Sequence, residues 1–448
     1  MPACIGVRRE DKSQWERRVP VTPEVAAELM AQHQLQVVVQ PSPIRAFTAA
    51  EFTAAGALVQ ESLTSCPVVF AIKEIPAAAF EPGKAYMFFA HVIKGQPYNM
   101  PMLRRMLELG CTLIDYEKVT DDQGRRLIFF GWHAGVAGML ETLWALGKRL
   151  AWEGIDTPFA DLGHPHEYHD LAEAKADVAK AAEAIRSQGL PEAIAPLTIG
   201  VAGYGNVARG VWDILDLLPI QRVEPGELAA LAADPARSRH VIYAATFREE
   251  HIAKPKAAGE TFDLQKYYAH PEAFDQVFDP YIPQLDVLVN AIYWDPRYPR
   301  LVTKAYLRDQ AARDELRLRV IGDISCDIDG AIECTVRATE PGEPVFVYNP
   351  QTGDDVDGYE GDGVVVMAVD ILPSELPRDA SNDFSRVLQP YLPVLAAADY
   401  TAPFDALDLP PEIKRAVIVH RGELTPTYQY LQQHLDSGQS SSSLVVSV

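Results

Sequence analysis

Cysteine and basic residues are scarce in this sequence. The five cysteines form no C-x-x-C pair, which argues against a disulfide scaffold and indicates free thiols in a reducing compartment. Lys and Arg number 40 against 62 Asp and Glu, so the formal net charge is -22. Such a surface repels phosphate backbones, and we expect no nucleic-acid partner. An anionic substrate must therefore be bound by locally placed arginines.

Long apolar runs are also missing. No stretch reaches the roughly 18 apolar residues that a membrane span needs, and residues 1–10 contain no secretory h-region. We therefore expect no membrane partner and a cytoplasmic location. The 448 residues, 48% of them hydrophobic, exceed one ordinary core, so two domains are expected. The serine-rich tail, residues 436–448, is expected to be disordered.

Short apolar segments alternate with helical patterns along the chain. Residues 68–72 and 85–90 are examples of strand candidates, and the alternation predicts an α/β fold of mostly parallel sheets covered by helices. Residues 134–150 are helical in pattern and apolar nearly all round, as in a buried helix. We interpret them as the element that passes between the domains, with Gly135 and Gly138 allowing close packing.

A glycine loop from Gly203 to Ala208 follows a buried strand candidate and opens a helix. Gly203 permits a tight turn, and Gly205 lets a pyrophosphate approach the backbone at the helix amino terminus. The loop therefore predicts a dinucleotide site that includes Gly203, Gly205, Asn206 and Val207.

The end of the next strand candidate leaves the choice of dinucleotide open. Glu224 lies about 20 residues after the loop, where a carboxylate binds the ribose 2′-hydroxyl of NAD. Arg222 and Arg209 are near enough in sequence to receive the 2′-phosphate of NADP instead. The expected cofactor is therefore NADPH or NADH.

Lys73 and His91 each follow a strand candidate of the first half. Ligands of open α/β sheets bind at the carboxyl ends of the strands, so these two side chains are candidates for a proton-exchanging pair. Burial and nearby charge would lower the pKa of the lysine towards neutrality, and Glu74 and Glu117 are placed to tune the pair.

Two arginine doublets, Arg17–Arg18 and Arg125–Arg126, supply forked donors that suit a carboxylate. We expect one arginine of each doublet to bind substrate and the other to be an ordinary solvated charge.

His164, His166 and His169 form an H-x-H-x-x-H run. No strand or helix register puts all three on one side, and hydride transfer needs no metal. We interpret the run as a polar loop and expect no metal ligand in the chain.

Several stretches together resemble the lysine-ketoglutarate reductase/saccharopine dehydrogenase family, which is related to alanine dehydrogenase and transhydrogenase. They run in order over nearly the whole chain, which makes the resemblance far more specific than a lone glycine motif. The stretches are residues 8–18, 88–94, 113–118, 131–139, 203–207, 291–294, 323–325 and 369–377.

The resemblance implies an NAD(P)-dependent oxidoreductase of lysine metabolism. Enzymes of this family join the ε-amine of L-lysine to 2-oxoglutarate as an imine and reduce it to saccharopine, or run the reverse reaction. The implied roles are acid–base chemistry for Lys73 and His91, substrate-carboxylate binding for Arg18 and Arg126, tuning of the pair for Glu74 and Glu117, and a place near the cofactor ribose for Asp323.

The implied fold is α/β, with two Rossmann-like domains and a cleft between them. Residues 1–133 and 366–435 would form a discontinuous substrate-binding domain, and residues 134–365 the dinucleotide-binding domain. The long stretch 226–280 and the segment 294–303 resemble the reductase domain of the bifunctional animal and plant enzymes, of the alpha-aminoadipic semialdehyde synthase type.

That reductase uses NADPH, which does not agree with Glu224, whereas Glu74 is more similar to the fungal enzyme. The chain ends where the reductase domain would, so a saccharopine-cleaving module is not expected. Two alternatives stay open: a related amino-acid or opine dehydrogenase with another amine and keto acid, and a non-catalytic dinucleotide-binding protein. The sequence does not determine the direction or the oligomeric state.

Overall fold

The computed structural model describes residues 3–231, 233–234 and 236–437. The strands are β1 (Cys4–Val7), β2 (Gln36–Val39), β3 (Leu58–Val59), β4 (Val68–Phe70), β5 (Ala85–Phe88), β6 (Thr112–Asp115), β7 (Thr198–Ala202), β8 (Ile220–Arg222), β9 (Ile242–Phe247), β10 (Ala253–Pro255), β11 (Phe274–Gln276), β12 (Val287–Asn290), β13 (Val320–Asp323), β14 (Val345–Tyr348), β15 (Asp355–Asp357), β16 (Val364–Met367), β17 (Val417–His420) and β18 (Glu423–Leu424).

The α-helices are α1 (Pro23–His33), α2 (Ala49–Ala54), α3 (Met100–Glu108), α4 (Gly131–Trp152), α5 (Leu171–Gln188), α6 (Asn206–Leu215), α7 (Leu228–Leu231), α8 (Glu249–Ile252), α9 (Leu264–Ala269), α10 (Lys304–Ala312), α11 (Pro377–Leu388), α12 (Leu392–Ala397), α13 (Pro411–Lys414) and α14 (Gln432–Ser437). None of the helices in the described ranges is both long enough and apolar enough to cross a membrane.

The chain divides into two compact units. The first joins the residues up to Phe130 to those from Pro377 onward, and the second is Gly131–Leu376. The boundary expected at 365/366 falls inside β16, whose residues all belong to the second unit because this strand pairs with β13. The segment expected to be a disordered tail begins inside α14, and residues 438–448 lie outside the described residues.

The first unit contains an eight-stranded sheet in the order β18-β17-β6-β5-β4-β1-β2-β3. Strands β1 to β6 pair in parallel, and β17 and β18 add an antiparallel edge. Strands β1, β4, β5 and β6 are buried throughout, as expected for parallel strands covered on both faces. Their carboxyl ends therefore meet at one edge of the sheet.

The second unit contains another eight-stranded sheet, in the order β15-β14-β16-β13-β12-β7-β9-β8. All its strand pairs are parallel except the two that β14 makes, with β15 and with β16. On one side of β7 lies β12, and on the other lies β9 rather than β8. The two sheets and their covering helices confirm the predicted α/β class.

Helix α4 fixes where α6 begins. A β-carbon on Gly135 would overlap the carbonyl oxygen of Val207, and one on Gly138 would lie 2.6 Å from Ile324 Cγ1. The predicted close packing of these two glycines is confirmed. Because α6 starts at Asn206, the crossing with α4 holds the glycine loop against the end of β7.

Candidate functional site

The glycine loop follows β7 without an intervening residue. Gly203 has φ +106°, a conformation that favours glycine, and a β-carbon there would lie 2.8 Å from the carbonyl oxygen of Ala291. Gly203 N donates to the carbonyl of Phe247 at 3.0 Å. A β-carbon on Gly205 would meet no atom within 4 Å, so the space beside the start of α6 is open.

A cavity of about 250 Å³ opens beside this loop, and aromatic and charged side chains line it. The hydroxyls of Tyr204 and Tyr268 both donate to the carboxylate of Glu249, at 3.1 and 2.5 Å. The Arg248 guanidinium lies 5.1 Å from the centre of the Tyr204 ring. The cavity therefore presents one carboxylate and one guanidinium directly after β9.

Glu224 and Arg222 do not line this cavity. Arg222 is the last residue of β8 and Glu224 follows it, and β8 is an edge strand separated from β7 by β9. Arg222 pairs with Asp216 at 2.7 Å, and the backbone N–H of Glu224 donates to Glu227 at 2.8 Å in a local helix cap. Because the strand next in sequence is not the strand next in space, these two residues do not line the cavity beside the glycine loop, and their contact with a dinucleotide stays a prediction.

Arg248 and Glu249 occupy the position that sequence reasoning assigned to Arg222 and Glu224. The strand candidate that precedes them was recognisable, since residues 241–247 are almost entirely apolar. What the sequence did not supply was the pairing of β9 with β7.

Asp323 ends β13 and is buried. Its carboxylate accepts from Asn290 Nδ2 at 2.8 Å and from Thr335 Oγ1 at 2.6 Å. Burial raises its pKa to about 6 despite these two hydrogen bonds. Asn290 immediately precedes Ala291, which lines the cavity. Through its hydrogen bond with Asn290, Asp323 helps to hold this part of the cavity wall in place.

These features fit a dinucleotide. The open space at Gly205 admits a pyrophosphate, and the first N–H groups of the ten-residue helix α6, beginning with Asn206 and Val207, have no partner within the helix. The cavity beside them is lined by tyrosine rings and by the charged side chains of Arg248 and Glu249, which suit the other parts of a dinucleotide.

A second group of polar residues lies at the carboxyl edge of the first unit's sheet, after β4 and β5. The carboxylate of Glu74 lies 2.8 Å from His91 Nδ1, accepts from Lys12 Nζ at 2.7 Å and receives a long contact from Asn99 Nδ2 at 3.4 Å. We call Lys12, Lys73, Glu74, His91 and Asn99 the Glu74 cluster. Although burial would raise the pKa of Glu74, the hydrogen bonds from His91 and Lys12 lower it well below the ordinary value.

Lys73 is held in place through its backbone. The buried carboxylate of Glu10 accepts from the N–H groups of Ile72 and Lys73 at 2.7 and 3.0 Å. Burial lowers the pKa of the Lys73 ammonium, and the positive charge of Arg18 lowers it further. The side chain is thus prepared to give up a proton more easily than a surface lysine.

His91 has φ +48°, which is unusual for a residue with a β-carbon. The side-chain amide of Asn99 donates to the carbonyl oxygens of Ala90 and His91, at 3.0 and 3.1 Å, and so braces this turn. Backbone strain of this kind concentrates at functional sites. The imidazole is about one-third exposed while its Glu74 partner is only 9% exposed.

The predicted arginines already carry carboxylate partners. Arg18 makes a two-pronged contact with Glu16, at 2.8 and 2.6 Å, and both residues are 3% exposed. Its guanidinium also lies 4.3 Å from the centre of the Phe130 ring. A guanidinium has five N–H donors, so this contact leaves others for a second anion.

Arg126 is half exposed and pairs with Glu117. Its neighbour Arg125 is more exposed and pairs with Asp121 at 2.6 Å. The structure thus brings Arg126 and Glu117 together, as it does Glu74 and His91.

Sequence reasoning missed five residues of this edge: Lys12, Glu10, Glu16, Asn99 and Asp115. Three of them stand in the quoted stretch 8–18, where a dense run of charge after a buried strand was the available signal. Asp115 ends β6, fully buried; its Oδ1 accepts from Glu117 N at 2.9 Å, and burial raises its pKa to about 7.

The histidine run is divided. His169 is exposed and lies 3.1 Å from Asp170, whereas His164 and His166 stack with ring centres 5.2 Å apart and share a buried glutamate, Glu141. The expectation that the run supplies no metal ligand stays a prediction.

Comparison with known families decides the relationship of the chain. The model described as "Alanine dehydrogenase/PNT, N-terminal domain" matches residues 6–137, and its "C-terminal domain" counterpart matches residues 272–427. Together they cover more than half of the sequence. The chain belongs to the alanine dehydrogenase/PNT family.

Curated members related to this alanine dehydrogenase/PNT protein include enzymes named for the saccharopine pathway. An alpha-aminoadipic semialdehyde synthase of Arabidopsis thaliana is 38% identical over 95% of this chain and 41% of its own length. The mitochondrial enzyme of the same name from Bos taurus is 32% identical over 99% and 49%. A "Saccharopine dehydrogenase [NAD(+), L-lysine-forming]" of Neurospora crassa is 29% identical over 87% and 91%.

These matches confirm the resemblance that the motifs indicated. The chain spans less than half the length of the plant and bovine relatives. The bovine name includes a mitochondrial location, so the cytoplasmic location expected for this chain stays a prediction. A solved L-alanine dehydrogenase superposes with a TM-score of 0.61 at 18% identity, over 96% of this chain and 99% of that one, which agrees with the α/β fold.

Proposed function

We propose that the chain is a nicotinamide-dependent oxidoreductase that condenses L-lysine with 2-oxoglutarate to saccharopine, or runs the reverse reaction. The observation that carries the proposal is the Glu74 cluster, in which Glu74 contacts His91 at 2.8 Å and its negative charge acts on the buried Lys73, whose pKa is lowered. The relatives named for saccharopine chemistry support the choice of substrates.

The condensation of an amine with a keto acid depends mainly on proton transfers. The amine of lysine adds to the keto carbon of 2-oxoglutarate, water leaves the resulting carbinolamine, and the imine accepts a hydride and a proton. Lys73 acts as the base that keeps the attacking amine neutral, and His91 donates the proton that the leaving hydroxyl needs. Positioned groups of this kind typically contribute about 10²–10⁴-fold to the rate.

Glu74 orients His91 and holds a compensating negative charge beside it, at 2.8 Å from the ring nitrogen. Arg18 and Arg126 bind substrate carboxylates with the donors that Glu16 and Glu117 leave free. Fixing both reactants beside the acid–base pair supplies rate through orientation.

A nicotinamide supplies the hydride when NADPH or NADH is bound. Gly203, Gly205, Asn206 and Val207 would hold its pyrophosphate, and Arg248 and Glu249 would select its adenosine ribose in place of Arg222 and Glu224. Asp323 holds the edge formed by Asn290 and Ala291. Residues 131–376 thus carry the cofactor-binding function, and the first unit carries the substrate-binding function.

The test is oxidation of NADPH and of NADH in the presence of L-lysine and 2-oxoglutarate, compared between the native chain and Lys73→Met/His91→Gln. We expect turnover with the native chain and a loss of about 10²- to 10⁴-fold in the turnover number of the variant, because both proton-transfer groups are removed.

The matched control is Lys180→Met/His33→Gln, which replaces an exposed lysine and an exposed histidine in the same way. It should retain the native turnover. Equal turnover in the native chain and in Lys73→Met/His91→Gln would remove the Glu74 cluster from the mechanism. Absence of any turnover with the native chain would overturn the lysine assignment.

A second candidate is an amino-acid dehydrogenase that interconverts an amino acid with its keto acid and ammonia. The family description, alanine dehydrogenase/PNT, favours it. Oxidation of NADH with pyruvate and ammonium, in the absence of lysine, would support this candidate over the first.

A further inference from the structure

Four residues of the second unit, two of them fully buried and two mostly buried, converge on one place. Glu141 comes from the middle of α4, His164 and His166 from the segment that precedes α5, and Glu375 from the residues just before α11. We call these four residues the Glu141 cluster. The function proposed above uses none of them.

Their ligating atoms lie close together. His164 Nδ1 is 3.1 Å from Glu141 Oε1, and His166 Nδ1 is 3.9 Å from Glu375 Oε2. One donor atom each from Glu141, His164 and His166 can be chosen so that all lie within 4.8 Å of one another. Ligands about 2.1 Å from a tetrahedral zinc ion are roughly 3.4 Å apart, so these separations suit a shared cation.

Without a bound cation, burying the two glutamates in their ionised form would cost free energy. Glu141 and Glu375 are both 0% exposed, and within the described residues neither forms an ion pair with a lysine or an arginine. Among the described residues, the polar neighbours of the Glu375 carboxyl are His166, whose Nδ1 lies 3.9 Å from Oε2, and the carboxyl of Glu141. Burial raises the pKa of Glu141 to about 8 and that of Glu375 well above its ordinary value. Buried carboxylates are ordinarily paired, hydrogen-bonded or bound to a metal.

We propose that Glu141, His164, His166 and Glu375 bind one divalent transition-metal ion of the zinc type. Two imidazole nitrogens and two carboxylates are a donor set that zinc accepts, and their charges neutralise a divalent cation. The site joins α4, the segment before α5 and the segment before α11. Its expected role is therefore to stabilise the second unit rather than to take part in hydride transfer.

The experiment loads the full chain with Zn²⁺ or Co²⁺ after removal of metal by a chelator. We expect about one ion per chain, a rise in the thermal midpoint with Zn²⁺, and visible absorption bands with Co²⁺ in low coordination. His164→Ala and Glu375→Gln should each weaken binding by more than about 100-fold, because each removes a ligand.

His169→Ala is the matched control, since it removes the third histidine of the same run and leaves the Glu141 cluster intact. It should bind metal as the native chain does. If the native chain binds neither ion stoichiometrically, the two carboxyls share a proton instead and the proposal is wrong. Loss of binding in His169→Ala equal to that in His164→Ala would also overturn it. The Co²⁺ spectrum of the native chain decides the matter even if a variant fails to fold.

Discussion

Each unit contains a glutamate that touches a histidine, and the two pairs behave in opposite ways. Glu74 lies 2.8 Å from His91, and Glu141 lies 3.1 Å from His164. Burial acts on both carboxylates, yet the pKa of Glu74 falls well below its ordinary value while that of Glu141 rises to about 8. Residue type and contact distance therefore do not determine the protonation state.

The difference lies in the remaining neighbours. Glu74 accepts a second strong hydrogen bond from the Lys12 ammonium, whereas Glu141 faces the second carboxylate, Glu375. Donors and cations favour the ionised form, and burial next to a like charge favours the neutral form. The Glu74 cluster is therefore charged and ready for proton transfer, while the Glu141 cluster needs an added cation to ionise.

Among single substitutions, removing the carboxylate of Glu74 should have the largest effect on the turnover number. In Glu74→Gln the imidazole of His91 loses its charged partner, and we expect the turnover number with lysine and 2-oxoglutarate to fall by roughly 10²-fold. Steady-state assays would measure it. Glu108→Gln, which removes an exposed carboxylate paired with Arg105, is the control and should leave turnover unchanged. A native turnover number in Glu74→Gln would mean that His91 does not depend on this contact.

Asp115 lies in the same unit as Glu74, but its surroundings are more like those of Glu141. It lies in the first unit near His91 and Glu117, but it is fully buried, and in the described residues its Oδ2 has no hydrogen-bond partner. Burial raises its pKa to about 7. It should therefore behave like Glu141 although it lies near Glu74.

The sign of the pH effect follows from that shift. A carboxyl whose folded-state pKa is raised binds its proton more tightly when folded, so its contribution to stability is complete below about pH 4 and is lost as the pH rises to about 7. Asp115→Asn should remove this loss, on the order of 2 kcal/mol between pH 5 and 8. Urea unfolding of both proteins at the two pH values measures it. An unchanged difference between variant and native chain at pH 5 and 8 would contradict the shift.

Much of the fold was predictable because parallel strands and the glycine loop depend on local pattern. The strands that end before Lys73 and His91 are short apolar runs, and their carboxyl ends were expected to meet at one edge. The order of β8 and β9 was not predictable in this way. It depends on which strand packs against β7, so the sequence alone points to Glu224, whereas the strand beside β7 is the one that precedes Glu249.

The site was harder to predict than the fold, because many of its contacts join residues distant in sequence. Glu10 acts on the backbone of Ile72 and Lys73, and Glu375 reaches His166 from another part of the chain. Glu10 stands in the charged stretch 8–18 and Glu375 in the stretch 369–377, but neither stretch indicates which distant residue its glutamate contacts. Lys12 is a similar case, since only the folded chain shows that it contacts Glu74.

The smallest effect is expected at Lys12. It forms an ion pair with Glu74, whereas Glu141 has no such pair with a lysine or an arginine among the described residues. Its side chain is 48% exposed, and an ion pair with that exposure is worth at most about 1 kcal/mol. Lys12→Ala should therefore lower the turnover number by about fivefold or less, because His91 and Asn99 still contact Glu74. Lys180→Ala, which breaks an exposed pair with Asp177 of similar length, is the control for the assay. A loss in Lys12→Ala larger than that in Glu74→Gln would show that Lys12 itself meets the substrate, since the effect of a cation that acts only through Glu74 cannot exceed the effect of removing Glu74.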